Sequence, residues 1–153
     1  MNKNKIKGSN FEREAAEVLE KNISNSKWKR IPSSGAMGTI LGESLLTGDI
    51  TGEVKNFPKK FKGECKIGYN NSADKAVKQF TIKKEWLDKI KMEANANFSV
   101  PFLIGKFGSV REGVKYFITL DIDTFSYLIN MVGDLQRELE LLYDKLGDKK
   151  DGK

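Results

Sequence analysis

The sequence contains no histidine and a single cysteine, Cys65. Without histidine, the chain has no imidazole general base, no Ser-His-Asp or Cys-His nucleophile and no imidazole ligand for a metal. A lone cysteine forms no disulfide within the chain and builds no cysteine-based zinc site. The remaining reactive groups are carboxylates, lysines and hydroxyls. We expect them to act together with a hard metal ion.

Long apolar segments are also missing. No run approaches the roughly 18 apolar residues that span a bilayer, and the basic residues 1–7 lack the apolar stretch of a secretory signal. We therefore expect no membrane partner and a cytoplasmic location, nucleoid-associated or in a phage-infected host. With 153 residues, 39% hydrophobic and 31% charged, the chain is long enough for one soluble domain with a buried core.

Charge is unevenly distributed along the chain. The net charge is +6, yet residues 121–146 carry six acidic and two basic side chains, a net charge of −4. Residues 147–153 contribute +1, so residues 1–120 carry +9. A basic body predicts a polyanionic partner, with a generic lysine-rich surface as the alternative.

Residue periodicity predicts an α/β domain in which helices cover a mixed sheet. The spacing favours helices over 9–23 and 82–94 and strands over 28–31, 49–54, 61–67, 99–107 and 115–120. Ser9 followed by Glu12 has the spacing of a capping box, which predicts that Ser9 caps the first helix. Residues 33–48 are rich in glycine and serine, and such a long connection is usually functional or mobile.

The C-terminal segment has a heptad pattern. Its apolar residues recur at alternating intervals of three and four: Phe125, Leu128, Val132, Leu135, Leu139, Leu142 and Leu146. A long helix is predicted, capped by Asp121 or Asp123, and it either lies on the sheet or packs on its twin in a homodimer. The predicted organisation is a core over 1–120, a dimerising helix over 121–146 and a disordered tail over 147–153, with residues 1–7 also disordered.

The segment Phe61–Ile67 is the most informative strand. Alternation along a strand places Glu64 and Lys66 on one face and Cys65 on the apolar face. A carboxylate can ligate Mg²⁺ and a nearby lysine can orient a water molecule, although such a pair is also common on a solvated strand face. Asp49 is a further candidate acid for this metal site. The alternative is that Asp49 is a turn residue that follows Gly48. Glu12 adds another acid if it does not serve the capping box.

The order of these motifs resembles the archaeal-type Holliday junction resolvases, which belong to the PD-(D/E)XK nuclease superfamily and have similar phage enzymes. The resemblance covers residues 5–120 and rests on Lys7–Glu14, Arg30, Ser33–Gly35, Gly48–Ile50 and Glu64–Lys66. It implies a restriction-endonuclease-like fold, with a mixed central β-sheet flanked by helices and the heptad-patterned helix as an addition. It also implies a homodimer that nicks two strands of a four-way DNA junction symmetrically.

The resemblance implies catalytic roles for four residues. Asp49 and Glu64 would be the main ligands of Mg²⁺, for which Mn²⁺ would substitute, Glu12 would assist, and Lys66 would position the attacking water. The backbone carbonyl of Cys65 is a further candidate ligand. The candidate DNA contacts are basic or hydroxyl side chains: Arg13, Arg30, Ser33, Ser34, Lys59, Lys60, Lys62, Lys83, Lys84 and Arg111.

Two features depart from the resolvase pattern. The interval between Ser34 and Asp49 is longer than expected, and the heptad helix has no counterpart, so dimer geometry does not carry over. Two alternatives to junction resolution therefore stay open. One is another PD-(D/E)XK endonuclease that acts on duplex or branched DNA, and the other is a non-catalytic DNA-binding dimer.

Overall fold

The first helix, α1, runs over Lys3–Asn22 and lays its apolar stripe on the sheet. Phe11, Ala15 and Leu19 are buried, as their spacing predicts. The helix begins at Lys3 rather than at Ser9, so the predicted capping box is wrong, as is the predicted disorder of residues 3–7. Ser9 lies inside the helix because the lysine-rich residues before it continue the helical turn.

The computed structural model describes residues 3–31, 48–68, 79–108 and 112–147. The chain divides into two units, Met1–Leu120 and Asp121–Lys153. The long connection predicted over 33–48 falls outside the described residues except at Gly48. Three predicted DNA contacts also fall outside them, namely Ser33, Ser34 and Arg111, together with the tail after Gly147.

The first unit contains a five-stranded sheet in the order β1-β2-β3-β4-β5. The strands are β1 Ser26–Arg30, β2 Ile50–Val54, β3 Phe61–Gly68, β4 Val100–Phe107 and β5 Tyr116–Thr119. Neighbouring strands are antiparallel except β3 and β4, which are parallel. Helix α2, Lys84–Asn95, lies between those two in the chain and supplies the crossover that a parallel pair requires. The predicted mixed sheet is therefore confirmed.

Two helices cover opposite faces of this sheet. On one face, α1 packs on a core cluster that includes Trp28, Phe102 and Ile104, against which Cys65 also packs. On the other face, α2 buries Ile90 and Ala94 against β3 and β4. Because side chains alternate along β3, the residues on either side of Cys65 point toward α2.

The described part of the second unit forms one helix, α3, over Ile122–Gly147. Asp121 caps it, because its carboxylate accepts hydrogen bonds from the Thr124 amide at 3.2 Å and the Thr124 hydroxyl at 2.8 Å. Ten of its large apolar side chains are at least half exposed: Ile122, Phe125, Ile129, Val132, Leu135, Leu139, Leu141, Leu142, Tyr143 and Leu146. Within the described ranges, no helix of either unit combines the length and apolar content that crossing a membrane requires.

Candidate active site

Asp49 lies immediately before β2, and its backbone is held from both sides. The Asp49 amide donates to the Gly63 carbonyl at 2.9 Å, and the Ile31 amide donates to the Asp49 carbonyl at 2.9 Å. The preceding Gly48 has φ +79°, and a Cβ atom there would stand 2.9 Å from Cγ of Lys62. Glycine is therefore favoured at position 48, because another residue would meet backbone strain and would force the Lys62 side chain to shift.

A hydrogen bond joins the Asp49 side chain to β3. The Cys65 amide donates to Oδ2 of Asp49 at 2.8 Å. Since Cys65 stands between Glu64 and Lys66 in the chain, this bond brings the three predicted motif residues into one small region. The structure gives no contact that tests the Cys65 carbonyl as a metal ligand, so that role stays a prediction.

Glu64 is buried and carries two lysine partners. Its side chain is 4% exposed, with Lys66 Nζ at 2.5 Å from Oε1 and Lys89 Nζ at 3.0 Å from Oε2. The alternative of a solvated strand face for this residue is therefore wrong. A buried carboxylate requires compensating charge, which the two lysines supply. Lys89 comes from α2, and the sequence did not single it out.

Burial and nearby carboxylates both affect the ionisation of Asp49. Burial, and then the carboxylates of Glu64 and Glu12, raise the pKa of Asp49 from 3.8 to about 6, despite the Cys65 amide and Lys66. Burial, and then the carboxylates of Asp49, Glu12 and Glu64, raise the pKa of the Cys65 thiol. The thiol is therefore protonated at neutral pH and is not a nucleophile, in agreement with its prediction as a small apolar residue.

Glu12 reaches this region from α1 and is paired with Arg30 of β1. The two side chains are 18% and 25% exposed, and the Arg30 Nε donates to the Glu12 carboxylate. Glu12 therefore serves no capping box, and its carboxylate adds to the negative potential at Asp49. Arg30 was predicted to contact DNA, and in this structure its guanidinium neutralises Glu12.

The donor set fits a hard divalent cation. Asp49, Glu64 and Glu12 offer only carboxylate oxygens, which Mg²⁺ and Mn²⁺ prefer. Burial, and then the carboxylates of Glu64 and Glu12, raise the pKa of Asp49, and an added cation would favour its ionised form. Among the described residues, no group of three or more His, Cys, Asp or Glu side chains is already arranged to hold a metal ion. Glu64 and Glu12 are both engaged by cationic side chains.

A second group of charged side chains, Lys62 and Glu93, lies between β3 and α2. Lys62 is 3% exposed, so its predicted role as a surface phosphate contact does not fit the structure. Burial lowers the pKa of Lys62, and the opposing effect comes from Glu93 of α2. Burial, with repulsion from Glu64, raises the pKa of Glu93 against the effects of Lys89, Lys62 and the Gly48 amide. Glu93 therefore couples α2 to the segment that precedes Asp49.

The other predicted DNA contacts lie at the surface. Arg13, Lys59 and Lys60 are exposed, as are Lys83 and Lys84 at the start of α2. Lys59 and Lys60 line a cleft at the edge of the sheet together with Lys27 and Lys55. We call the lysines of this edge, Lys27, Lys29, Lys55, Lys59 and Lys60, the lysine edge. Three of them were missed, although the alternating lysines of β1 were a visible signal.

An aromatic residue of α2 lies close to the acidic region. Nζ of Lys66 is 5.2 Å from the centroid of the Trp86 ring, and Nζ of Lys83 is 5.7 Å from it. Cations at such distances are attracted by the ring face. Trp86 therefore helps to hold Lys66 beside Glu64 and connects the site to the basic start of α2.

One comparison with known proteins matches most of the chain. The model of a family described as "Phage putative PDDEXK endonuclease" matches residues 3–141, which include every acidic residue of the site and Lys66. No curated protein matches the chain. PD-(D/E)XK nucleases use divalent metals, in keeping with the oxygen donors found here.

Proposed function

Because the chain belongs to this family of phage PD-(D/E)XK endonucleases, we propose that it is a divalent-metal-dependent, structure-selective endodeoxyribonuclease that resolves four-way DNA junctions. Mg²⁺ is the proposed physiological ion, with Mn²⁺ as a substitute. The family supports the nuclease chemistry. The choice of a junction as substrate rests on the resemblance to resolvases.

The observation that carries the proposal is the hydrogen bond from Cys65 to Asp49. This bond of 2.8 Å sets the acid of one strand against the Glu64-Cys65-Lys66 segment of the next. Burial and mutual repulsion of the acids then create a demand for a cation. A non-catalytic DNA-binding protein gains nothing from buried carboxylates near phosphates, because they repel the ligand.

Each residue of the site has a proposed part in hydrolysis. Asp49 and Glu64 would hold the divalent ion with assistance from Glu12, and the ion would supply Lewis acidity and charge neutralisation at the scissile phosphate. Lys66 would orient the attacking water and stabilise the charge that develops on the phosphoryl oxygens. The burial of Glu64 beneath α2 limits the access of bulk water to its oxygens.

The lysine edge supports a nucleic-acid substrate. Lys59 and Lys60 lie four or five residues before Glu64 on the same hairpin, about 13–17 Å away at the rise of an extended strand. Lysines at that distance would contact phosphates of the backbone that flank the scissile bond. Such contacts set affinity and its dependence on salt, and they carry no sequence information.

A homodimer through α3 is the proposed route to two symmetric cuts. The exposed stripe from Phe125 to Leu146 follows a heptad pattern, and a second copy of the same helix has the shape to cover it. The part of α3 outside the stripe is acidic and would repel DNA. We therefore do not propose α3 as a contact for the substrate. Two copies would each bring one site to the junction.

A competition assay tests the choice of substrate. A labelled four-way junction and a duplex of the same sequence are offered together with Mg²⁺, and the first cut in each is followed. The proposal expects the junction to be preferred by more than about tenfold, or 1.4 kcal/mol. A smaller preference would favour an endonuclease that acts on duplex or branched DNA in general.

A further inference from the structure

Lys89 lies between two carboxylates on the α2 side of the sheet. Its Nζ is 3.0 Å from Oε2 of Glu64 and 3.8 Å from Oε1 of Glu93, one turn along the same helix. The Lys89 side chain is 48% exposed, so it has room to move. The shorter distance makes Glu64 the nearer of its two partners in the structure.

Glu93 has spare capacity to accept a hydrogen bond. Its side chain is 12% exposed, and within the described part of the chain its Oε2 is buried without a hydrogen-bond partner. An acceptor of this kind is costly to leave unsatisfied. Because a rotation of the Lys89 side chain along α2 suffices to bring Nζ closer to it, Glu93 is a ready second position for the ammonium group.

We propose that Lys89 is an internal counter-ion of the metal site, which leaves Glu64 for Glu93 when a divalent cation binds to Glu64. This inference rests on the proposed function, since it assumes that Glu64 is a metal ligand. Lys66 alone remains beside Glu64 in the metal-bound state. Lys89 and Glu93 are thus positioning residues that act through Glu64.

The balance of charge around Glu64 explains why Lys89 would move toward Glu93. In the structure, Lys66 and Lys89 together compensate the buried Glu64. A divalent cation at Glu64 would repel an ammonium group about 3 Å from the same carboxylate. A shift of the Lys89 ammonium group toward Glu93 reduces that repulsion and supplies the hydrogen bond that Oε2 of Glu93 lacks among the described residues. The exchange avoids leaving either carboxylate buried without a cation, which is the costly arrangement.

Binding of Mn²⁺, measured by isothermal titration calorimetry without DNA, tests the exchange. Lys89→Met keeps a long side chain but removes the competing charge, so we expect Mn²⁺ to bind about tenfold more tightly. The matched control is Lys84→Met, which removes a charge from the exposed start of α2, where Lys84 pairs with Asp88. We expect that control to change the affinity less than about twofold.

A double-mutant cycle identifies the role of Glu93. Glu93→Gln is expected to weaken Mn²⁺ binding about fivefold when Lys89 is present, because the displaced lysine loses its second partner. In the Lys89→Met background, the same change is expected to have less than a twofold effect. A plain field effect of the lost charge would be equal in both backgrounds, and equal effects would overturn the exchange. If Glu93→Gln does not fold, Glu93→Asp takes its place. It keeps the charge but moves the carboxylate away from Lys89, and we expect the same effects on Mn²⁺ binding in the two backgrounds.

The two proposals fail in different ways. If the wild-type protein binds no Mn²⁺, or binds it equally after Asp49→Asn, the proposed function fails and the exchange fails with it. If the wild-type protein binds Mn²⁺ through Asp49 but Lys89→Met leaves the affinity unchanged, only the exchange is overturned.

Discussion

The backbone amide of Cys65 donates a 2.8 Å hydrogen bond to Oδ2 of Asp49. This contact joins the chain that enters β2 to the middle of β3. It orients one acid against Glu64 and Lys66, which flank Cys65 in the chain. Because the donor is a backbone group of a central strand, the position of Asp49 depends on the sheet and not on a flexible side chain. The contact therefore preorganises the site before any ligand binds.

The raised pKa of Asp49 predicts that the ionised carboxylate, which metal binding would need, lowers the stability of the native protein. In the unfolded chain the carboxyl ionises near 3.8, whereas in the native protein it ionises near 6. Between these values only the unfolded state loses its proton, so native stability falls as pH rises, by roughly 3 kcal/mol in total. Above about pH 6 that loss is complete. Asp49→Asn should therefore stabilise the metal-free protein at pH 8 by about 1–3 kcal/mol while abolishing cleavage.

Thermal unfolding in EDTA at pH 8 and near pH 4 checks this prediction. The gain from Asp49→Asn should be present at pH 8 and shrink toward zero near pH 4, where the wild-type carboxyl is protonated in the native state. Glu85→Gln is the matched control, since it neutralises an acid that is 70% exposed. A variant that is less stable than the wild type at pH 8 would contradict the unfavourable ionisation of buried Asp49 in the native protein.

Gly48 should be sensitive to substitution for two separable reasons. Gly48→Ala meets an unfavourable φ of +79° and the Lys62 side chain at 2.9 Å. Gly113 has a φ of +80°, and no heavy atom of the described residues lies within 4 Å of an added Cβ, so Gly113→Ala carries the backbone strain alone. Urea unfolding should give a loss of about 1 kcal/mol for Gly113→Ala. The loss for Gly48→Ala should exceed it by about 1 kcal/mol or more, and equal losses would mean that Lys62 moves away without cost.

The lysine edge should control the salt dependence of DNA binding. Removing two phosphate contacts with Lys59→Ala and Lys60→Ala should lower the slope of log K against log salt by about 2. Binding should weaken alike for unrelated sequences of the same shape. Lys145→Ala, on the acidic helix α3, is the control and should leave the slope unchanged. An unchanged slope for the double variant would show that DNA does not follow this edge.

The exposed stripe of α3 should hold two copies together. The double variant Leu135→Glu and Leu139→Glu introduces two charges into the stripe and should produce monomers in sedimentation equilibrium. The matched control, Ser126→Glu with Asn130→Glu, adds the same charge at the same spacing outside the stripe. Dimers that survive the first pair of substitutions would show that a surface other than the stripe joins the copies.

The sequence predicted local features of the site better than tertiary ones. Asp49, Glu64 and Lys66 were found because strand alternation and chain order are local properties. The same alternation places Lys62 on the α2 face with Glu64, where the helix buries it. Lys89 was missed because nothing in the sequence distinguishes it from Lys84 or Lys91 of the same helix. Its role follows only from the packing of α2 on β3.

The start of α1 shows that a local pattern can also predict a feature that the structure does not have. Ser9 and Glu12 have the spacing of a capping box, but the helix already begins at Lys3. Once the helix extends past Ser9, Glu12 is free to reach Arg30 on β1. A pattern that describes a helix end also occurs inside helices, and only the tertiary partner of Glu12 decides between the two.

Cleavage of a labelled four-way junction by the wild-type protein and by Glu64→Gln is the most direct test of a metal nuclease site at Asp49, Glu64 and Lys66. The wild-type protein should cut with Mg²⁺ or Mn²⁺ and not with EDTA. Glu64→Gln should lower the rate by about a hundredfold or more, since it removes a proposed ligand, while Glu85→Gln should cut like the wild type. Cutting that persists in EDTA, or that survives Glu64→Gln at the wild-type rate, would contradict the assignment.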